Sequence, residues 1–183
     1  MATATATNGF VQRLIGAAAL DVAIYEEVEA DPAATTQALV VVVLSSLAAG
    51  FGARGLGGVS ATNIIFISIV ALIAWAAWAL VIYQIGARLL PEPQTSVDVG
   101  QLLRTIGFAA TPGLLRVFGV LPGATIPAFA IAAVWMLLAM IVAVRQALDY
   151  KSTARAVAVC GLGWALAIAI ALALGLFFGP TVS

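Results

Sequence analysis

A chain of 183 residues that is 63% hydrophobic and only 9% charged, with a mean hydropathy of +1.14, has too little polar surface to cover a water-soluble globule, where about 25% of residues are charged; its solvent is lipid. Eight basic residues balance eight acidic ones, so no basic patch exists to neutralise phosphates, and nucleic acid is excluded as a partner. The absence of histidine excludes Ser-His-Asp and Cys-His catalysis, histidine-dependent zinc sites and haem ligation by histidine.

The single cysteine, Cys160, can form no disulfide within the chain and reads as a small buried hydrophobe at the start of an apolar run. No cofactor and no metal site is expected. Residues 1–8 lack the positive and apolar regions of a signal peptide and read as a short disordered tail. Residues 9–30 follow as one amphipathic helix. Val11, Ile15, Ala18, Val22, Tyr25 and Val28 recur at helical spacing, and Gln12, Arg13, Asp21, Glu26, Glu27 and Glu29 form the opposite face. With one arginine on that face, docking on protein suits the helix at least as well as docking on lipid headgroups.

The remainder, residues 31–183, reads as an all-α membrane domain of five transmembrane helices. Asp31-Pro32 is a start signal, an N-cap carboxylate followed by a proline that needs no N–H partner. The first span covers about 35–53 and ends in a flexible turn built from Gly50, Gly52, Gly55, Gly57 and Gly58. The second covers about 63–86, with Trp75 and Trp78 near its middle and therefore packed between helices rather than at an interface. A loop broken by Pro91 and Pro93 leads to Ser96 and Asp98, candidate caps for the third span at about 102–121. The fourth covers about 127–144. A polar connector ending in Ser152 or Thr153 caps the fifth, at about 156–178. Each run is long enough to cross a ~30 Å hydrocarbon core at ~1.5 Å per residue.

Five spans place Arg13, Arg88, Arg104, Arg145, Lys151 and Arg155 on one side and Arg54 and Arg116 on the other. Six against two predicts a cell-membrane protein with a cytoplasmic N-terminus and an extracytoplasmic C-terminus.

Two features stand out. In the last span Ala167, Ala171, Gly175 and Gly179 form a ladder of small residues at steps of four, which lets helix backbones approach closely. Packing within one chain is the simpler use of the ladder, and self-association is compatible with it. The third span alone is broken. Pro112 cannot donate to the carbonyl of Phe108, so a kink is expected. Thr111 can satisfy freed backbone groups through its hydroxyl, and Gly107 and Gly113 leave room for a neighbouring helix. Arg104 and Arg116 lie ~18 Å apart along a helix, and the simple solution is that they snorkel to opposite interfaces. The sharper alternative pairs Arg116 with a freed carbonyl, a lipid phosphate or an anionic solute. Transporters use interrupted helices in pairs within repeated halves; here there is one, with no internal repeat and no intramembrane acid.

The runs Glu26–Pro32 with Leu39–Gly50, Arg104–Leu115 and Val144–Ala156 together resemble the bacterial branch of the Yip1 domain family. Gly107, Phe108 and Pro112 carry the most specific part, and the likeness covers about residues 24–178. The resemblance implies five spans with a cytoplasmic N-terminus. Eukaryotic members are linked to vesicle traffic and to membrane association of small GTPases. Their long N-terminal region and its Asp-Leu-Tyr-Gly-Pro motif are absent here, and Phe108 stands where they often have tyrosine, so GTPase partnership is not carried over. The expected function is that of a non-enzymatic accessory subunit or organiser, with membrane lipids and other membrane proteins, or further copies of itself, as partners. The alternative is a small channel or transporter using the kink around Thr111–Arg116.

Overall fold

The computed structural model describes residues 8–54 and 61–178, with side-chain surroundings to residue 170 except at Arg54, Ala61 and Ile64; the expected tail before Asn8, together with Gly55, Gly57, Gly58 and Gly179, lies outside the described residues. All regular structure among the described residues is helical. The order is α1 (Phe10–Ala18), α2 (Val22–Ala30), α3 (Ala34–Arg54), α4 (Ala61–Ile82) running into a π-helical turn (Tyr83–Leu89), α5 (Val99–Phe108), a 3₁₀ helix (Thr111–Val120), α6 (Thr125–Ala147) and α7 (Thr153–Phe178). Four stretches are long and apolar enough to cross a membrane: Ala34–Ala53, Ile65–Leu89, Thr125–Ala147 and Thr153–Ile170. The expected third span is not one continuous helix. It is α5 followed by the 3₁₀ helix, because Pro112 removes the donor that would carry the α-helical ladder past Phe108.

The segment 9–30 is also two helices rather than one. Leu20 adopts a left-handed backbone, φ 62°, which ends α1. Asp21 then caps α2 by accepting from the Ala23 N–H at 2.9 Å. The pair folds back on itself and packs against the bundle: Trp135, midway along α6, donates its indole N–H to the Ala18 carbonyl at 2.7 Å, and the Tyr25 hydroxyl donates to Ala17 at 3.1 Å. Arg13, expected on the solvated face, is only 1% exposed. It donates to Glu27 at 2.9 Å, to Asp31 at 2.8 Å and to Gln37 at 3.0 Å, so it ties α1 to α2 and to the start of α3. Asn8, the last residue of the expected tail, also donates to Glu27 through its backbone N–H at 2.9 Å.

One core lies between α1–α2, α3 and α5, around Tyr25, Val28, Ala38, Val41 and Phe108. A second lies between α4, α5, α6 and the first half of α7, around Ile82, Leu102, Val144, Leu148 and Val159. The π-helical turn closes the second core, with the Tyr150 hydroxyl against the carbonyls of Gly86 at 2.8 Å and Leu90 at 2.7 Å. Asp98 caps α5, accepting from the Gln101 N–H at 2.9 Å, while the Gln101 side chain accepts from the Asp98 N–H at 2.7 Å.

Candidate functional site

The broken segment lies between two environments. On one side α3 runs along its whole length. A methyl added to Gly107 would sit 2.7 Å from the Ala38 Cβ. One added to Gly113 would collide with the Ser45 hydroxyl, and one added to Gly52 would collide with the Arg116 carbonyl. Ala38, Ser45 and Gly52 are seven residues apart on α3, so they form one stripe of small side chains. Gly50 and Gly52, expected in a flexible turn, are inside this helix. The spacing of small residues in α3 is the signal that the glycine-rich run obscured.

At the break, the Thr111 hydroxyl donates to the Phe108 carbonyl at 2.7 Å, the group that Pro112 leaves without an α-helical donor. Phe108 and Pro112 are both buried. Trp75 donates to the Leu103 carbonyl at 3.1 Å, and Trp78 lies edge-on to Trp164, centroids 6.0 Å apart, so both mid-span tryptophans pack between helices.

Arg104 does not snorkel. It is 7% exposed and donates through Nε to the carbonyls of Val28 at 3.0 Å and Glu29 at 3.1 Å. These carbonyls belong to the last turn of α2, which has no further helical donors for them and favours a cation. Around this junction α2, α5 and the α6–α7 connector enclose a cavity of about 520 Å³ lined by Glu26, Glu29, Gln101, Arg145 and Asp149 among others. Gln101 donates to Glu29 at 3.2 Å and Gln146 to Glu26 at 3.0 Å. Burial pushes the Glu29 carboxyl up to about 7, helped by the charges of Asp149, Glu26 and Asp98 and opposed by Arg104. Asp31, by contrast, is held below the usual carboxylate range by the hydrogen bond from Arg13.

Arg116 is different. Its side chain turns inward, to the Met136 thioether midway along α6, and its guanidinium lies over the Phe129 ring, 5.9 Å from the centroid. Among the described residues no carboxylate pairs with it. A thioether is a weak acceptor for a group with five N–H donors. The guanidinium lines an open-sided cavity of about 420 Å³ whose other walls include Trp78, Met136, Met140, Trp164 and Ala167. The structure thus packs Gly107, Phe108 and Gly113 against α3, with Thr111 and Pro112 buried at the break beside them, and turns the Arg116 side chain away towards α6 and α7. Ala167 lines the Arg116 cavity and is exposed. Ala171 and Gly175 continue α7.

Long apolar helices, buried arginines satisfied by backbone or carboxylate partners, and a backbone break healed by a threonine hydroxyl define a helical integral membrane protein. The Yip1 domain model matches residues 22–175, nearly the whole chain, and the protein belongs to the Yip1 domain family. No curated protein and no solved structure matches it.

Proposed function

We propose that this Yip1 domain protein is a non-enzymatic accessory subunit or organiser of the membrane, acting through contacts with lipids and with other membrane proteins or copies of itself. In this reading α5 and the 3₁₀ helix together make the third of five crossings. The charge asymmetry supports an N-terminus in the cytoplasm and a C-terminus outside the cell membrane. The observation that carries the reading is the state of α7. From Trp164 to Ile170 every residue is exposed, on all sides of the helix, and Trp164, Ile168 and Ile170 are each at least half exposed. A helix stretch this exposed, with Ala165, Ala167 and Ala169 on its surface, offers the close approach that helix association in lipid requires. For the channel alternative around Thr111–Arg116, Gly113 is packed against α3 and Arg116 alone faces a cavity.

Cysteine crosslinking in membranes tests the reading. A variant with Ala167→Cys, in a Cys160→Ala background, is expected to give a crosslinked dimer or a defined heteromeric product, and the purified protein to run larger than a monomer in mild detergent. A monomer in mild detergent that yields no crosslinked product in cells would overturn it.

A further inference from the structure

We propose that the cavity at Arg116 binds one anionic membrane phospholipid, with the phosphate headgroup on the guanidinium and an acyl chain in the groove between α6 and α7. This assignment rests on the reading of the protein as one that works through lipid contact, and it names the lipid class and the site.

Three features of the site support it. The guanidinium is a planar fork suited to a phosphate, yet it meets only the Met136 sulfur and the face of Phe129. The other walls are alanine, leucine, methionine and tryptophan side chains, mostly apolar, with the unpartnered indole N–H of Trp78 among them. A soluble anion entering there would lose its water and gain one charged partner, whereas a lipid brings apolar surface to match the walls. An apolar groove of about 510 Å³ adjoins the cavity. The two share Ala133, Leu137 and Trp164, and the groove runs on past Ile141 and Val157. A charged head pocket with an apolar trough leading from it has the shape of an amphiphile.

The direction is consistent as well. The backbone of Arg116 lies near Gly52 and Phe129, towards the Thr125 end of α6, and the groove leads towards the opposite end, where α7 begins. A lipid from the leaflet on the Thr125 side has its head and tail in that sense, with its phosphate drawn below the headgroup layer to the level of Met136, midway along α6. At the other end of the bundle Arg145 lines its cavity together with Glu26, Glu29 and Asp149, so an anionic headgroup would meet carboxylates beside the one cation there.

The test uses the purified full chain in detergent, titrated with brominated phosphatidylglycerol or with brominated phosphatidylcholine of the same chains. The signal is quenching of tryptophan fluorescence, with Trp78 and Trp164 at the site. The anionic lipid is expected to bind on the order of tenfold more tightly. Arg116→Gln should remove that preference, and Arg116→Lys should keep part of it. Ala133→Leu, which adds bulk to a wall shared by cavity and groove while leaving Arg116 in place, should weaken the anionic lipid with helix content unchanged. Inorganic phosphate should not displace the lipid. Equal quenching by the two lipids, a preference that survives Arg116→Gln, or displacement by inorganic phosphate would each overturn the assignment. Crosslinking through Ala169→Cys, an exposed α7 position outside the cavity walls, reports separately: if association is absent but the preference holds, the assembly reading fails and the lipid site stands, and in the reverse case the lipid site alone fails.

Discussion

The two arginines of the broken segment, Arg104 and Arg116, were made by similar sequence contexts and put to opposite uses. Arg104 belongs to the half of the molecule formed by α1–α2, α3 and α5. There each buried polar group singled out above has a partner: Arg13 has Glu27, Asp31 and Gln37, Arg104 has two carbonyls, and Thr111 has a third. Arg116 faces the half formed by α4, α6 and α7, where packing is open, Trp164 is exposed, and the guanidinium has no carboxylate among the described residues. Polar groups in the first half hold the fold together. In the second half a polar group is presented to a cavity, the arrangement expected of a site rather than a support. Variants on each side should therefore behave differently.

The largest effect is expected in the tight half. Gly113→Leu forces a branched side chain into the Ser45 hydroxyl and the Met136 sulfur. Overpacking of this kind typically costs ~1–3 kcal/mol and more when backbones must separate. The expected result is a sharp fall in the yield of folded protein and in the thermal midpoint. An unchanged midpoint would show that α3 and the broken segment are not in close contact.

Next in size is Arg13→Ala. It leaves Glu27 and Asp31 without their cation, and because both carboxylates are partly exposed a loss of about 1–2 kcal/mol is expected, less than for a fully buried pair. The checkable outcome is faster proteolysis between α1 and α2 with α3 to α7 intact. Acid should mimic the variant. For Glu27, burial raises the carboxyl but the hydrogen bonds from Asn8 and Arg13 outweigh it and hold it low, and Asp31 is held low by Arg13. The stabilisation is thus present above the ordinary carboxylate values of 4.5 and 3.8 and is lost as pH falls below them.

These two effects also mark how far the sequence could be read. The all-helical membrane fold and the break at Pro112 follow from local chemistry: long apolar runs, and a residue that lacks an N–H. The split of 9–30 does not. Leu20 takes a left-handed backbone without being glycine or asparagine, and Arg13 is drawn inward by carboxylates 14 and 18 residues away, so helical periodicity alone assigns both to the wrong role. The stripe Ala38, Ser45, Gly52 was legible as small residues at heptad spacing, but the glycines that follow it suggested a loop. Arg116 was recognisable as anomalous, while its surroundings, assembled from α4, α6 and α7, depend on tertiary packing.

A smaller effect is expected from pH near neutrality. Glu29 faces Glu26 on its own helix, Asp98 and Arg104 from α5 and its cap, and Arg145 and Asp149 from the α6 end. With its carboxyl pushed up from 4.5 to about 7, the docked state holds a proton that the undocked state releases. The contribution to docking is full below 4.5 and is lost as pH rises through 7. Spin labels on α2 and α6 should therefore report a broader distance distribution at pH 8 than at pH 6, and Glu29→Gln should flatten that dependence. A distribution that narrows with rising pH would contradict the assigned sign.

The smallest effect on stability, and the sharpest on behaviour, is expected in the open half. Ala167→Leu adds bulk to an exposed position on α7, so the thermal midpoint should stay within about 0.5 kcal/mol equivalent of the parent. If the small-residue face of α7 is a contact surface, the same change should nonetheless disrupt association, because close approach of helix backbones tolerates no added side chain. Sedimentation in mild detergent reads the two quantities apart. A variant that stays folded and loses its assembled form would confirm that the two halves divide the work, one holding the fold and the other meeting the membrane and its proteins. A variant that stays folded and fully assembled would place any protein contact elsewhere and leave the exposed turns of α7 to lipid alone.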